Sequence, residues 1–438
     1  MNDDGGSDMR HGGRGTGRRP ADRQAKTRQR LAASADVARV RRPVGDGTGE
    51  EFDLHYVRSG PRGSTPVAFV PGGPGLASVT LYRALRARAV RQRFDVVMME
   101  HRGIGLSRVR DDGRPLPSEA MTVTAAVDDL AAVLDHAGIE RAVVYGTSYG
   151  SYLAQGFGLR HPDRVASMVL DSPVLTAHDG VETRRVMRER LWEGSRVETA
   201  AAARALRELV ARGFVDPAET GAVAQAAYET GGAPLLEAVC RAVAAGRGHR
   251  TWRWLATLGN TETTTPRPFV MEFDLAGVIA FRELKFRPDP DGLPLDPHLG
   301  FLEVARHFPE FAGEPFDLPS ALPSFDWPVA VVSGDRELRT PRAVAERVAR
   351  LVPDGALVPL ADHGHSALDS HPAAALRVAR LVRDGQHRLL PGEAAALGRL
   401  RRTGGTNLLP PLVRARLASE RLLPRRVLAP TPGEAGRP

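Results

Sequence analysis

The run Val143-Val144-Tyr145-Gly146-Thr147-Ser148-Tyr149-Gly150-Ser151 restricts the possible folds more than any other stretch of the chain. A β-branched run leads into Gly-x-Ser-x-Gly, and an apolar helical pattern follows at Leu153, Ala154, Phe157 and Leu159. The motif carries meaning where a strand turns sharply into a helix. Such a turn strains the backbone of Ser148, and a Cβ at 146 or 150 would collide with neighbouring backbone. The hydroxyl is then expected at a helix N-terminus, where the dipole favours developing negative charge. A glycine- and serine-rich turn without chemistry is the plainer alternative, and the flanking strand and helix argue against it.

The surrounding pattern alternates strand and helix, which predicts an α/β fold with a mostly parallel, doubly wound sheet. Strand patterns cover 52–58 and 66–70, then Phe94–Met99, the Ser148 strand and Val165–Leu170. The runs at 94–99 and 165–170 are almost continuously apolar, as strands buried on both faces are. Helix patterns cover Leu81–Val90 and Thr122–His136. From about Val174 the alternation stops. Long helical stretches at 183–212 and 222–244, a polar loop at 261–269 and an apolar run at 269–281 predict a mostly helical cap inserted after the sixth strand. Alternation resumes with strand Val329–Ser333, helix Pro341–Leu351, strand Ala356–Leu360 and helix His371–Arg383. The expected units are a disordered basic tail at 1–47, core at 48–173, cap at 174–325, core at 326–385 and a basic extension at 386–438. A further helix is expected at Glu393–Arg402, with disorder from Pro424.

At 438 residues the chain exceeds one compact core, in keeping with a core plus insertion. The net charge of +8 sits at the ends: residues 1–42 carry +6, residues 386–438 carry +7, and the body carries −5. Arginine-rich ends can attract polyanions, but neither end interleaves aromatic residues, so nucleic acid is not expected as a partner. No apolar run approaches membrane-spanning length, so no membrane insertion is expected. Cys240 is the only cysteine. That excludes an intrachain disulfide and fits a reducing compartment, and with no apolar leader visible the expected location is cytoplasmic.

A serine hydroxyl is a weak nucleophile without a base, and the base needs an acid to hold its tautomer. In a strand–turn–helix hydrolase the chain order is serine, acid, histidine. The strand at 329–333 ends in Gly334-Asp335-Arg336-Glu337, and the strand at 356–360 ends in Ala361-Asp362-His363-Gly364-His365-Ser366. Asp335 and Glu337 compete for the acid, and His363 and His365 for the base. The two histidines could also form a metal pair, but no companion cluster completes a site. Earlier in the chain, Pro71-Gly72-Gly73-Pro74-Gly75 follows a strand and leaves amide N–H groups near a ligand. It is the candidate second half of an oxyanion hole whose first half is the Tyr149 amide.

These pieces together resemble the proline iminopeptidase and tripeptidyl aminopeptidase branch of the α/β-hydrolases. The resemblance rests on Gly72-Gly73-Pro74-Gly75, Arg102-Gly103-Ile104-Gly105-Leu106-Ser107, Gly146-Thr147-Ser148-Tyr149-Gly150-Ser151, His161-Pro162-Asp163-Arg164-Val165, Gly334 to Pro341, and Gly364-His365-Ser366. It spans roughly residues 50–385 without the insertion. It implies Ser148 as nucleophile, Glu337 as acid and His365 as base, with Gly73 and Tyr149 as oxyanion donors. It also implies release of N-terminal residues from peptides, with cover-domain carboxylates holding the substrate's ammonium. Glu193, in Trp192-Glu193-Gly194, and Glu272, with Asp274 beside it, are the candidates for that anchor. Three positions depart from the family: Glu337 stands for the usual Asp, Pro71 for His, and Glu100-His101 for Asp-Gln. Asp335 therefore stays open as the acid, and so does the exact substrate.

The expected function is a serine hydrolase that acts as an aminopeptidase through an acyl-enzyme, on a peptide or a small amide or ester. No metal or organic cofactor is expected. The alternatives are a carboxylesterase with the same triad and a catalytically degenerate hydrolase that serves as a binding protein.

Overall fold

A computed structural model describes residues 20–422 except 46, 48 and 265. Its centre is an eight-stranded sheet in the order β1-β2-β4-β3-β5-β6-β7-β8. The strands are β1 (Val37–Pro43), β2 (Glu51–Ser59), β3 (Val67–Val70), β4 (Val96–Met99), β5 (Ala142–Thr147), β6 (Val165–Asp171), β7 (Val329–Gly334) and β8 (Gly355–Leu360). The β1/β2 and β2/β4 pairs are antiparallel and the rest of the sheet is parallel. This is the mostly parallel α/β arrangement expected from the alternation. The register places Val70 opposite Gly146, Thr147 opposite Asp171 and Gly334 opposite Leu360. The loops after β3, β5, β6, β7 and β8 therefore leave one edge of the sheet together.

Among the helices of eight or more residues, α1 (Pro20–Ala32) precedes the sheet, and α2 (Arg83–Arg91), α3 (Val123–His136) and α4 (Tyr149–Arg160) belong to the first core segment. The cap follows β6 with α5 (Asp179–Arg188), α6 (Val197–Ala211), α7 (Thr220–Ala244), α8 (His249–Thr264) and α9 (Phe273–Arg282). The core closes with α10 (Arg342–Leu351) and α11 (Pro372–Arg383), and the chain continues through α12 (Leu390–Arg399) and α13 (Leu409–Glu420). One face of the sheet buries its apolar residues against α3, α4 and α10, the other against α2, α11 and α12. The cap has an apolar core of its own, from Met187 and Leu206 to Trp252 and Leu255.

Three expectations are corrected. Residues 20–43 form α1 and β1 rather than part of a disordered tail; residues 1–19 lie outside the described residues. β1 is held by charge: Arg39 pairs with Asp53, Arg41 with Glu51 and Asp53, and Arg42 reaches the buried Asp129 at 2.8 Å. The helical stretch at 183–212 is broken, because a π-turn at Glu189–Glu193 ends at Gly194 in the left-handed conformation (φ 70°). The first part of the stretch read as a polar loop at 261–269, residues 261–264, continues α8, whose helix is held by the buried Trp252, Leu255 and Ala256. In the C-terminal extension the helix expected at Glu393–Arg402 is met by α12 at Leu390–Arg399. Leu390, Ala394 and Leu397 enter the core, while Val413 and Leu417 enter the cap. The residues from Pro424 onward lie outside the described ones.

Candidate active site

Ser148 sits where β5 turns into α4, with φ 52° and ψ −124°. A non-glycine residue held there stores about 1–3 kcal/mol of strain. The two glycines make the turn possible. A Cβ on Gly146 would lie 2.2 Å from the Gly150 carbonyl oxygen, and one on Gly150 would lie 2.1 Å from that of Val70. Ser172, Asp362 and Ser366, at the ends of β6 and β8, also have positive φ (51°, 55° and 56°). Backbone strain thus gathers at this one edge of the sheet.

Three loops meet beside Ser148. His365 turns Nδ1 to both carboxylate oxygens of Glu337, at 3.0 and 2.9 Å. Glu337 is wholly buried, and its Oε1 also accepts from the amides of Arg339 (2.8 Å) and Thr340 (3.2 Å). Burial works against the Glu337 carboxylate, but His365 and the Ser172 hydroxyl outweigh it and hold its pKa below the usual carboxylate range. Burial likewise lowers the His365 imidazole, and Glu337 more than reverses this, so its pKa is raised. The next residue ties the loops together: Ser366 Oγ accepts from Thr147 Oγ1 at 2.8 Å and donates to Asp369 at 2.6 Å. Thr147 immediately precedes Ser148. The buried Asp171 completes the lock by accepting from the amides of Ala367 and Leu368, and burial pushes its carboxyl up to about 6.

The structure brings Glu337 and His365 together and sets Ser148 one residue from the hydroxyl that pins the His365 loop. Among the described residues no hydrogen bond joins Ser148 Oγ to His365. With Nδ1 on Glu337, Nε2 is the ring nitrogen left to accept the serine proton. Such bonds are often long without substrate and tighten when it binds. Asp335 is used elsewhere, its Oδ1 accepting from the His363 amide at 3.1 Å. His363 is buried and faces His371, ring centroids 5.8 Å apart.

On the oxyanion side, a Cβ on Gly72 would lie 3.2 Å from Ser148 Cβ, so the Gly72–Gly75 loop runs directly over the serine. Among the described residues no backbone carbonyl outside the strands and helices accepts from the Gly73 amide. Tyr149, whose amide follows Ser148, is fixed by its side chain: its hydroxyl lies 2.9 Å from His101 Nε2, and His101 Nδ1 lies 2.6 Å from the Arg102 carbonyl. Burial pushes His101 down to about 4, so the ring is neutral. The neutral tautomer donates from Nδ1 and accepts the tyrosine proton at Nε2. His101, which departs from the family pattern, thereby anchors the turn.

Of the expected ammonium anchors only Glu272 is tied to the loop over Ser148, its amide donating to the Gly75 carbonyl at 2.9 Å. Glu272 is buried, but its carboxylate accepts from the Gly105 amide. Asp274 pairs with Arg108. Glu193 is exposed at the end of the π-turn, carried outward by the left-handed Gly194. The cap acid that does reach the site is Glu229 of α7, which sequence reasoning missed. It lies in an alanine-rich helix, and the one local signal was its position just before the helix-breaking Gly231-Gly232 and Pro234.

Residues 65–208 match the family described as "alpha/beta hydrolase fold". The chain has the α/β-hydrolase fold. Its sequence is 30% identical over 135 residues to the proline iminopeptidase of Neisseria meningitidis, covering 30% of this chain and 41% of that protein. It is 34% identical over 116 residues to a Caulobacter protein named as a carbamate hydrolase, covering 26% of this chain and 40% of that one. The chain thus spans about two fifths of the length of these curated relatives. The crystal structure of a Mycobacterium smegmatis proline iminopeptidase aligns over 80% of this chain and 98% of its own, with 18% identity and a TM-score of 0.48. Among the described residues no helix of this chain is long and apolar enough to cross a membrane.

Proposed function

We propose that this chain is a serine hydrolase that releases N-terminal residues from peptides through an acyl-enzyme. The observation that carries the reading is the Glu337–His365 pair at 2.9 Å, in a loop bonded to the residue preceding Ser148. In this mechanism Ser148 Oγ attacks the carbonyl carbon while His365 Nε2 takes its proton. Glu337 holds the imidazole in the tautomer with the proton on Nδ1 and stabilises the imidazolium. The amides of Tyr149 and Gly73 receive the oxyanion, each donor worth about 3 kcal/mol in the transition state. His365 then passes the proton to the leaving amine. Water, activated by the same imidazole, releases the acyl group and restores Ser148.

A second reading, carboxylester or carbamate hydrolysis by the same residues, is favoured by one observation: Glu193 is exposed and Glu272 spends one carboxylate oxygen on the Gly105 amide, so neither expected ammonium anchor is a carboxylate kept for a substrate. A fluorophosphonate probe and a substrate panel separate the readings. The protein is expected to be labelled, and Ser148→Ala to lose the label. Free-amine aminoacyl amides are expected to be cleaved faster than their N-acetylated twins. Cleavage of p-nitrophenyl esters alone removes the peptidase claim. An unlabelled folded protein removes the serine-hydrolase claim and leaves a binding protein.

A further inference from the structure

The loop that carries Glu337 is held by the cap more than by the core. Leu338 is fully buried within the cap's apolar cluster. Arg190, in the π-turn, donates to the Asp335 carbonyl at 2.9 Å, and Thr183 of α5 donates to the Arg339 carbonyl at 3.0 Å. Glu229 of α7 supplies the charge in this contact. Its Oε1 accepts from the Leu338 amide at 3.3 Å and its Oε2 from Arg339 Nε at 3.0 Å. Both oxygens therefore act as acceptors, which suits the ionised carboxylate, although burial raises its pKa and Arg339 only partly opposes that. Glu229 also touches the histidine loop, since a Cβ on Gly364 would come within 2.6 Å of the Glu229 carbonyl oxygen. One turn of a cap helix is thus wedged between the loops of the acid and the base.

We propose that Glu229 is a positioning residue for the Glu337–His365 pair: from the cap it fixes the acid loop and adds a second negative charge behind the imidazole. This rests on the reading of Ser148, Glu337 and His365 given above. The charged and titratable groups around His365 are Glu337 and Arg339 of the acid loop, Glu229 of the cap, Asp171 at the end of β6 and His363 of its own loop. Of these, Glu229 is the acid contributed by the insertion. Its removal deprives the imidazolium of stabilisation, so the ring should titrate at lower pH.

The test compares wild type, Glu229→Gln and Glu229→Ala. The glutamine variant keeps volume and one acceptor, so it preserves the fold while removing the charge. The His365 ring is followed by NMR across pH, assigned with a His365→Gln control. The expected result is a midpoint lower by roughly half a unit or more in Glu229→Gln, with the acid limb of kcat/KM on p-nitrophenyl acetate moving with it. In Glu229→Ala, kcat is expected to fall about tenfold or more while KM for this small ester changes little. A His365 midpoint in Glu229→Gln equal to that of wild type overturns the proposal. The NMR midpoint needs no turnover, whereas failure of Ser148 to label with fluorophosphonate overturns the catalytic reading. The two failures are therefore told apart.

Discussion

Glu337→Gln tests the site most sharply, because the amides around the carboxylate dictate how a glutamine must sit. Oε1 accepts from the Arg339 and Thr340 amides at 2.8 and 3.2 Å, both fixed donors of the loop backbone. The glutamine carbonyl is forced into that position. Its NH2 then occupies the place of Oε2, 2.9 Å from His365 Nδ1. Two donors facing each other disfavour a proton on Nδ1, which keeps only the carbonyl oxygen at 3.0 Å as an acceptor, so the ring proton shifts towards Nε2. An imidazole in that tautomer cannot take the proton of Ser148. The same substitution class in a serine triad costs about 10⁴ in kcat, or roughly 5.5 kcal/mol of transition-state stabilisation. The variant should fold with a near-native spectrum and retain substrate binding. Single-turnover kinetics with a chromogenic ester would read the acylation rate directly. Asp335→Asn is the control, since an amide oxygen can still accept from the His363 amide, and it should leave the rate within a few-fold of wild type. Retention of more than about a tenth of wild-type kcat by Glu337→Gln, or collapse of the rate in Asp335→Asn, would refute the assignment of the acid.

The pH profile follows from the same pair. His365 must be neutral to act as a base, and Glu337 raises its pKa, so kcat/KM should rise with pH and reach half its maximum above the ordinary imidazole value of 6.5. A midpoint at or below that value in wild type counts against the pair. Gly150→Ala should fail structurally, because its Cβ would meet the backbone oxygens of Val70 and Pro71 at 2.1 and 2.4 Å and neither can swing away. A destabilisation above about 4 kcal/mol, read by thermal or urea unfolding, is expected. Gly392→Ala, with open space around its Cβ, should be close to neutral.

Much of the sheet was legible because strands buried on both faces leave continuous apolar runs, as at Val96–Met99 and Val165–Asp171. The turn at Ser148 was legible because backbone crowding dictates its glycines. β1 was not: three of the seven residues of Val37–Pro43 are arginine, and its place at the sheet edge depends on Asp53, Glu51 and Asp129, contributed by other elements. No local pattern reports partners so distant in sequence. The same limit hid Glu229, whose meaning lies in Leu338 and Arg339, over a hundred residues away. The acid and histidine loops were named from their order and from family resemblance. The hydroxyl bridge from Thr147 to Ser366 could be found only with both loops in place. Glu193 misled because a short likeness in sequence says nothing about which way a helix end faces.

The last helix among the described residues, α13, changes what the cap is able to do. After leaving the core through α12, the chain crosses to the insertion, where Val413 and Leu417 are buried and Glu420 accepts from the Arg250 and Thr251 amides at the start of α8. A cover joined to its base only at its two roots can swing like a lid. This one is also stitched down by α13, so lifting it would tear apolar surface and strip a helix start of its cap. Any hinged opening of the insertion would have to break these contacts first.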